Sequence, residues 1–190
     1  PVSAVEKVYV MSKDESGKIV LPDELASGPV PLMTLLPVHL PGALYRSPTP
    51  GSWMFDPDDE IFGKYQEAGI NVAVVLSPED ELKRNTGGDL FRRYAEAAIE
   101  VIHAPTADFS APEKGYWDAT IAQAIQLLNE GKNVAVHCHA GLGRTGIFIA
   151  CMAQDLLGLE PDEAVGWTRQ YIPRAVDTYL QRQFVREYKK

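Results

Sequence analysis

The residues most capable of chemistry in this sequence lie in one short segment around Cys138. Arg144 follows the cysteine six residues later, and Thr145 comes directly after it. Gly141 and Gly143 stand in between, where the absence of a Cβ lets the backbone turn tightly and approach an anion. A guanidinium binds two phosphoryl oxygens at once, and a nearby cation favours the thiolate form of cysteine. This spacing predicts a nucleophilic cysteine in a phosphate-binding loop.

The segment also lies where such a loop is needed, between a predicted strand and a predicted helix. The apolar run 133–137 precedes it, and the largely apolar run 144–157 follows it. The loop amides and the positive end of the helix then converge on one point, which suits a phosphate. We expect the phosphate-binding residues to be His139, Ala140, Gly141, Leu142, Gly143 and Arg144.

Two neighbours of the cysteine are expected to assist it, and a third residue must supply a proton. The Thr145 hydroxyl can stabilise the sulfur as a leaving group, and His137 can brace the loop through hydrogen bonds. An acid is needed to protonate the leaving oxygen. Asp108 is the candidate, because the helix and strand after it return the chain to the edge where Cys138 lies. From spacing alone, a loop or helix-capping aspartate is the competing interpretation.

Helices alternate with short apolar strands along the chain. The predicted strands are 70–76, 99–103 and 133–137, and the predicted helices are 56–68, 89–98, 110–131, 144–157, 161–171 and 178–188. This order predicts an α/β fold in which a central, mostly parallel sheet is flanked by helices.

Charge and composition exclude several classes of protein. The chain has 190 residues and a net charge of −8, which excludes the basic surface that nucleic-acid binding needs. No run approaches the roughly 20 apolar residues that cross a bilayer, so we expect no membrane insertion. The two cysteines, Cys138 and Cys151, are too few for a disulfide scaffold and suit a reducing cytoplasm. His39 and His103 lack partners at ligand spacing, so we expect no metal and no other cofactor.

Residues 137–146 resemble the HCxxGxxRT/S signature of the protein-tyrosine phosphatase superfamily. The compact length, and an aspartate, Asp108, 30 residues before the cysteine, resemble its dual-specificity branch. The segments 40–47 and 175–185 are similar to the opening and closing parts of that domain. The resemblance covers about residues 38–188.

The resemblance implies a domain division, a mechanism and a substrate class. Residues 1–37 would be an N-terminal extension packed on a phosphatase catalytic domain at 38–190. Asp108 would be the general acid, Cys138 would carry a phosphocysteine intermediate, and Gln181 would support the site from its mouth. The partner would be a phosphorylated protein or a small phosphomonoester, bound by a monomer. Two alternatives stay open: a phosphatase for inositol phosphates or phosphoinositides, and a non-catalytic phosphate-binding module.

Overall fold

A five-stranded sheet forms the centre of the molecule. The computed structural model describes residues 12–13, 19–20 and 30–189. The strands of the sheet are β3 (Thr34–Leu36), β4 (Leu44–Ser47), β5 (Val72–Val75), β6 (Glu100–His103) and β7 (Val134–His137). They lie in the order β3-β4-β7-β5-β6, in which only β3 is antiparallel to its neighbour. Two short strands, β1 (Ser12–Lys13) and β2 (Ile19–Val20), pair with each other.

Helices cover both faces of this sheet. They are α1 (Glu60–Glu67), α2 (Glu79–Thr86), α3 (Leu90–Glu96), α4 (Asp118–Asn129), α5 (Gly143–Leu157), α6 (Pro161–Tyr171) and α7 (Tyr179–Glu187). Val72 and Val74 face a core shared with α4 to α7, whereas Ala73 and Val75 face a core shared with α1, α2 and α3. The alternation follows from the two-residue period of a strand. The predicted α/β fold, a mostly parallel sheet flanked by helices, is confirmed.

The strand register brings the ends of four strands to one edge. Ser47 and Val75 both pair with His137, and Val75 also pairs with His103. Because β4, β5, β6 and β7 are parallel, the loops that follow them all emerge at this edge. Ligands of open parallel sheets bind at the carboxyl ends of strands. The edge therefore gathers the segment that begins at Cys138 and the segment that contains Asp108.

Most predicted elements occur near their predicted positions, but two helices begin later than predicted. The helix expected at 110–131 begins only at Asp118. Gly115 has φ 81, which interrupts a helical backbone. Trp117 is buried, and its Nε1–H donates to the Ala104 carbonyl at 3.1 Å. Burial of this indole therefore fixes the chain before the helix and overrides the capping pattern at 110–113.

The predicted N-terminal extension, residues 1–37, lies mostly outside the described residues. Within the described part, β3 pairs with β4 and forms one edge of the central sheet. The division at residue 37 stays a prediction.

Asp56 was predicted to begin a helix, but it lies outside that helix and stabilises its first turn. The helix predicted to begin there starts at Glu60, four residues later. The buried Asp56 carboxylate accepts hydrogen bonds from the backbone N–H groups of Gly51 at 2.8 Å and Glu60 at 2.9 Å, and from Ile61. It therefore joins the loop after β4 to the first turn of α1.

We predict that Asp56→Ala lowers the free energy of unfolding by about 1–3 kcal/mol, because it leaves several buried N–H donors without an acceptor. Asp56→Asn keeps one carbonyl oxygen and should lose less. Urea unfolding of the three proteins measures the difference. Equal stabilities for Asp56→Ala and the wild type would contradict this role.

Candidate active site

Cys138 is the first residue after β7, and the loop 138–142 connects it to α5. The cysteine is buried, and the Thr145 hydroxyl donates to its Sγ at 3.2 Å. A hydroxyl bonded to this sulfur can stabilise it as a leaving group. The structure thus brings Thr145 to the atom that the sequence analysis assigned to it.

The loop rests on the segment that follows β4. Gly141 has φ 68, and a Cβ at this position would collide with the Ser47 carbonyl oxygen. The Thr49 backbone N–H donates to the His139 carbonyl at 3.0 Å, and the Thr49 hydroxyl donates to the Cys138 carbonyl at 2.7 Å. These contacts hold the loop carbonyls on its outer side. No local pattern identifies Thr49, since its partners lie about 90 residues away.

Arg144 is buried and held in a fixed plane by Glu81. Its Nη1 donates to Glu81 Oε2 at 2.9 Å and to the Thr106 carbonyl at 2.9 Å, and its Nη2 donates to Glu81 Oε1 at 2.7 Å. The Ser77 hydroxyl also donates to this carboxylate. The Nε of Arg144 has no hydrogen-bond partner in the described part of the chain, so this N–H remains available to an anion.

The ion pair stays charged over a wide pH range. Burial alone would lower the pKa of Arg144, but the hydrogen bonds to Glu81 raise it. Burial alone would raise the pKa of Glu81, but the hydrogen bonds from Arg144 lower it. Sequence reasoning missed Glu81, because nothing in its local pattern distinguishes it from the other acids in the first turn of α2.

Asp108 lies in the loop after β6, on the same cleft as Cys138. Its Oδ1 is 3.0 Å from Arg144 Nη2, and its side chain is 45% exposed. The backbone N–H of Phe109 donates to the same oxygen at 3.0 Å. The predicted acid, nucleophile and arginine are therefore brought together at one opening.

The mouth of the cleft is formed by the segment before α7. Arg174, Asp177 and Thr178 line it together with Gln181. Gln181 is buried, and its Oε1 accepts a hydrogen bond from the Asp177 N–H at 3.0 Å. Its Nε2 would lie 2.8 Å from a Cβ at Gly143, which places this amide against the loop.

Two histidines flank the nucleophile in different ways. His137 is fully buried, and its Nε2 forms a hydrogen bond with the Tyr94 hydroxyl at 2.8 Å. Burial lowers the pKa of His137 to about 3, so it braces the strand as a neutral ring. The ring of His139 packs edge-on against Phe55, with 4.9 Å between the ring centroids. His139 also lines the cleft, as the sequence predicted.

Arg46, on β4, is a second buried cation near the site that the sequence analysis missed. All three of its guanidinium nitrogens are buried without a hydrogen-bond partner in the described part of the chain. Burial lowers the pKa of Arg46 to about 10, and the negative charge of Cys138 opposes this shift. Arg46 therefore adds a buried positive charge to this part of the molecule.

Residues 12–13, 19–20 and 30–189 lack two features, a metal-binding cluster and a membrane-spanning helix. No group of three or more His, Cys, Asp or Glu residues is placed there to hold a metal ion. No helix in that part of the chain is long and apolar enough to cross a membrane.

The family model described as polymorphic toxin system, DSP-PTPase phosphatase, matches residues 50–155, which is more than half of the chain. The chain belongs to this family. The matched region contains Asp108, Cys138, Arg144 and Thr145. The predicted class, a dual-specificity-type member of the protein-tyrosine phosphatases, is therefore confirmed.

Curated relatives match shorter regions. Protein tyrosine phosphatase domain-containing protein 1 of Mus musculus is 48% identical over 61 residues, which are 32% of this chain and 8% of the relative. Tyrosine-protein phosphatase cdc-14 of Caenorhabditis elegans is 35% identical over 85 residues, which are 44% of this chain and 11% of the relative. The chain thus spans about a tenth of the length of these relatives.

Solved structures match over most of the chain. Tk-PTP in its active form has a TM-score of 0.66 and 26% identity, and the match covers 82% of this chain and 96% of that one. Kinase associated phosphatase, with its catalytic cysteine changed to serine, has a TM-score of 0.73 and 21% identity, over 86% of this chain and 96% of that one. The second match shows the fold alone.

We predict that Glu81→Gln lowers kcat/KM for p-nitrophenyl phosphate by roughly 10- to 100-fold, because a displaced guanidinium costs about this much in rate. The free energy of unfolding should fall by about 3 kcal/mol, since a buried charge loses its partner. Steady-state kinetics and urea unfolding measure the two effects. The control is Glu79→Gln, an exposed acid on the same helix whose contact with Lys83 is 3.9 Å. Equal kinetics for the two variants would remove Glu81 from the site.

Proposed function

We propose that this chain is a cysteine-dependent phosphomonoesterase that acts on phosphorylated proteins with tyrosine or dual specificity. The observation that carries the proposal is the cleft shared by Cys138, Arg144 and Asp108. A thiol nucleophile, a fixed cation and a partly exposed carboxylic acid are the three groups that phosphoryl transfer through a cysteine requires. Membership in the family supports the same reaction.

In the first step, the Cys138 thiolate attacks the phosphorus atom. A sulfur–phosphorus bond forms as the bond to the leaving oxygen breaks, and Asp108 gives its proton to that oxygen. The backbone N–H groups of residues 139–144 and the Arg144 guanidinium bind the three equatorial oxygens while negative charge spreads over them. The products are the free alcohol or phenol and a phosphocysteine.

In the second step, water replaces the sulfur. Asp108, now ionised, accepts a proton from the water as its oxygen attacks the phosphorus atom. The sulfur leaves as a thiolate, which the Thr145 hydroxyl stabilises through the hydrogen bond to Cys138 Sγ. Inorganic phosphate is released, and Asp108 is again protonated for the next cycle.

An inositol-phosphate substrate is the second candidate, and the charges at the cleft favour a protein substrate instead. In the described part of the chain, Arg144 and Arg174 are the cations that line the cleft, and Asp108 and Asp177 line it as well. A headgroup with several phosphates would need more positive charge than this. The solved complex of PTPMT1 with PI(5)P is 15% identical and shares the fold alone.

We also propose that the protein acts as a monomer in the cytoplasm. A reducing compartment would keep the Cys138 thiol free. Both described cysteines are unpaired and buried, which is consistent with this location.

We predict that Cys138→Ser abolishes turnover of p-nitrophenyl phosphate but keeps vanadate binding, because the amides and Arg144 remain in place. The matched control is Cys151→Ala, which removes a thiol buried in the core and should keep activity. Turnover assays and calorimetric titration with vanadate measure the two properties. If the wild type binds vanadate without any turnover, the chain is a phosphate-binding module and the proposed function is wrong.

We predict that Asp108→Asn affects poor leaving groups far more than good ones. Phenyl phosphate needs its oxygen protonated as the bond breaks, whereas nitrophenolate leaves almost unaided. The kcat for phenyl phosphate should fall by about 10²–10⁴-fold. Glu113→Gln, in the same loop and exposed, serves as the control. An equal loss on both substrates would mean that another group supplies the proton.

A further inference from the structure

The segment between α6 and α7, residues 172–178, borders the cleft and is called the strap here. Arg174, Asp177 and Thr178 of the strap line the cleft. The strap also leads directly into the first turn of α7, which carries Gln181. Its conformation therefore decides where several groups at the mouth are placed.

The backbone of the strap is strained. Arg174 has φ 65 and Val176 has φ 55. Residues with a Cβ rarely adopt this left-handed region, and for a β-branched valine it is an outlier. Such a conformation persists only when the surrounding structure enforces it, and strain of this kind concentrates at functional sites.

Arg169, near the end of α6, provides the strongest constraint. Its Nε donates to the Ala175 carbonyl at 2.8 Å, and its Nη2 donates to the Val176 carbonyl at 2.9 Å. The planar guanidinium thus binds two successive carbonyls of the strained segment. Arg182 also reaches the Val176 carbonyl, but its Nε is 3.4 Å away.

The segment held by Arg169 contacts the catalytic loop and its helix. A Cβ at Gly146 would lie 2.7 Å from the Ala175 Cβ, so the strap packs directly on α5, two residues after Arg144. At the other end of the strap, the N–H groups of Asp177 and Thr178 donate to Gln181 Oε1 at 3.0 and 3.4 Å. These bonds fix the amide of Gln181, whose Nε2 faces Gly143.

We propose that Arg169 is a positioning residue for the phosphatase reaction. It holds the strap in its strained conformation, and in this way it places the Gln181 amide and Arg174 against the phosphate-binding loop. Arg169 itself lies outside the residues that line the cleft. This inference rests on the proposed function.

The first test is the kinetics of Arg169→Met with p-nitrophenyl phosphate. We expect kcat/KM to fall by roughly 10- to 100-fold, because small displacements of positioned groups cost this much. Arg169→Lys, which keeps the charge but loses the planar fork, should lie in between. The charge-matched control, Arg182→Met, removes only the longer contact and should stay within about twofold of the wild type.

The second test separates positioning from simple stabilisation. Glycine adopts a positive φ without strain, so Val176→Gly should relieve the need for Arg169. In the Arg169→Met background, Val176→Gly should restore part of kcat/KM even though it lowers the Tm further by removing a buried side chain. A residue that only stabilises the fold would give the opposite result, with lower activity and a lower Tm together.

The outcomes distinguish this inference from the proposed function. If the wild type is active and Arg169→Met is unimpaired, the role of Arg169 is wrong but the proposed function stands. The same conclusion follows if the double variant is less active than Arg169→Met. A wild type that does not hydrolyse aryl phosphate overturns both.

Discussion

The buried ion pair between Arg144 and Glu81 is the interaction on which the site depends. Removing a guanidinium from water is costly unless its donors are satisfied, and here the carboxylate of Glu81 and the carbonyl of Thr106 accept from it. These partners come from α2 and from the loop after β6, while Arg144 itself is on α5. One charged group thus joins three segments at the carboxyl edge of the sheet. Asp108 lies on the loop that includes Thr106, so the same pair also sets the position of the acid.

The local charge of the site is opposite to the charge of the chain. A net charge of −8 repels phosphorylated partners at long range. At the cleft, however, the buried Arg144 lines the opening with Cys138, and the charge of the buried Arg46 interacts with Cys138. Burial also keeps His137 neutral, so it adds no charge of its own. A positive charge in a poorly solvated interior attracts an anion more strongly than it would in water. Attraction of the substrate is therefore confined to the place where the chemistry occurs.

The sequence was sufficient for features that depend on neighbours along the chain. The apolar runs at β5 and β7 are local patterns, and so is the spacing of Cys138, the glycines and Arg144. These patterns predicted both the sheet and the loop. Glu81, Arg46 and Thr49 could not be found in this way, because their roles arise from the strand order β4-β7-β5. The prediction of where α4 begins failed for the same reason. Trp117 is fixed by its hydrogen bond to the Ala104 carbonyl, which lies on the loop after β6. Asp108 was an intermediate case. Its spacing from Cys138 was compatible with a general acid, but only the resemblance to the phosphatase superfamily favoured that role over an ordinary loop or helix-capping aspartate.

Strain is distributed unevenly around the cleft. Phe109, Arg174 and Val176 are three of the six described non-glycine residues with positive φ, and all three belong to segments that border the opening. The phosphate-binding loop, by contrast, places a glycine, Gly141, where its backbone turns to positive φ against Ser47. The loop proposed to bind the phosphoryl group is therefore free of strain at this turn, whereas the flanking segments that carry Asp108 and the mouth residues are held by contacts from outside. A backbone that is held in this way can be displaced by the loss of a strong contact, and for this reason the proposed role of Arg169 is to position groups at the cleft without touching the substrate.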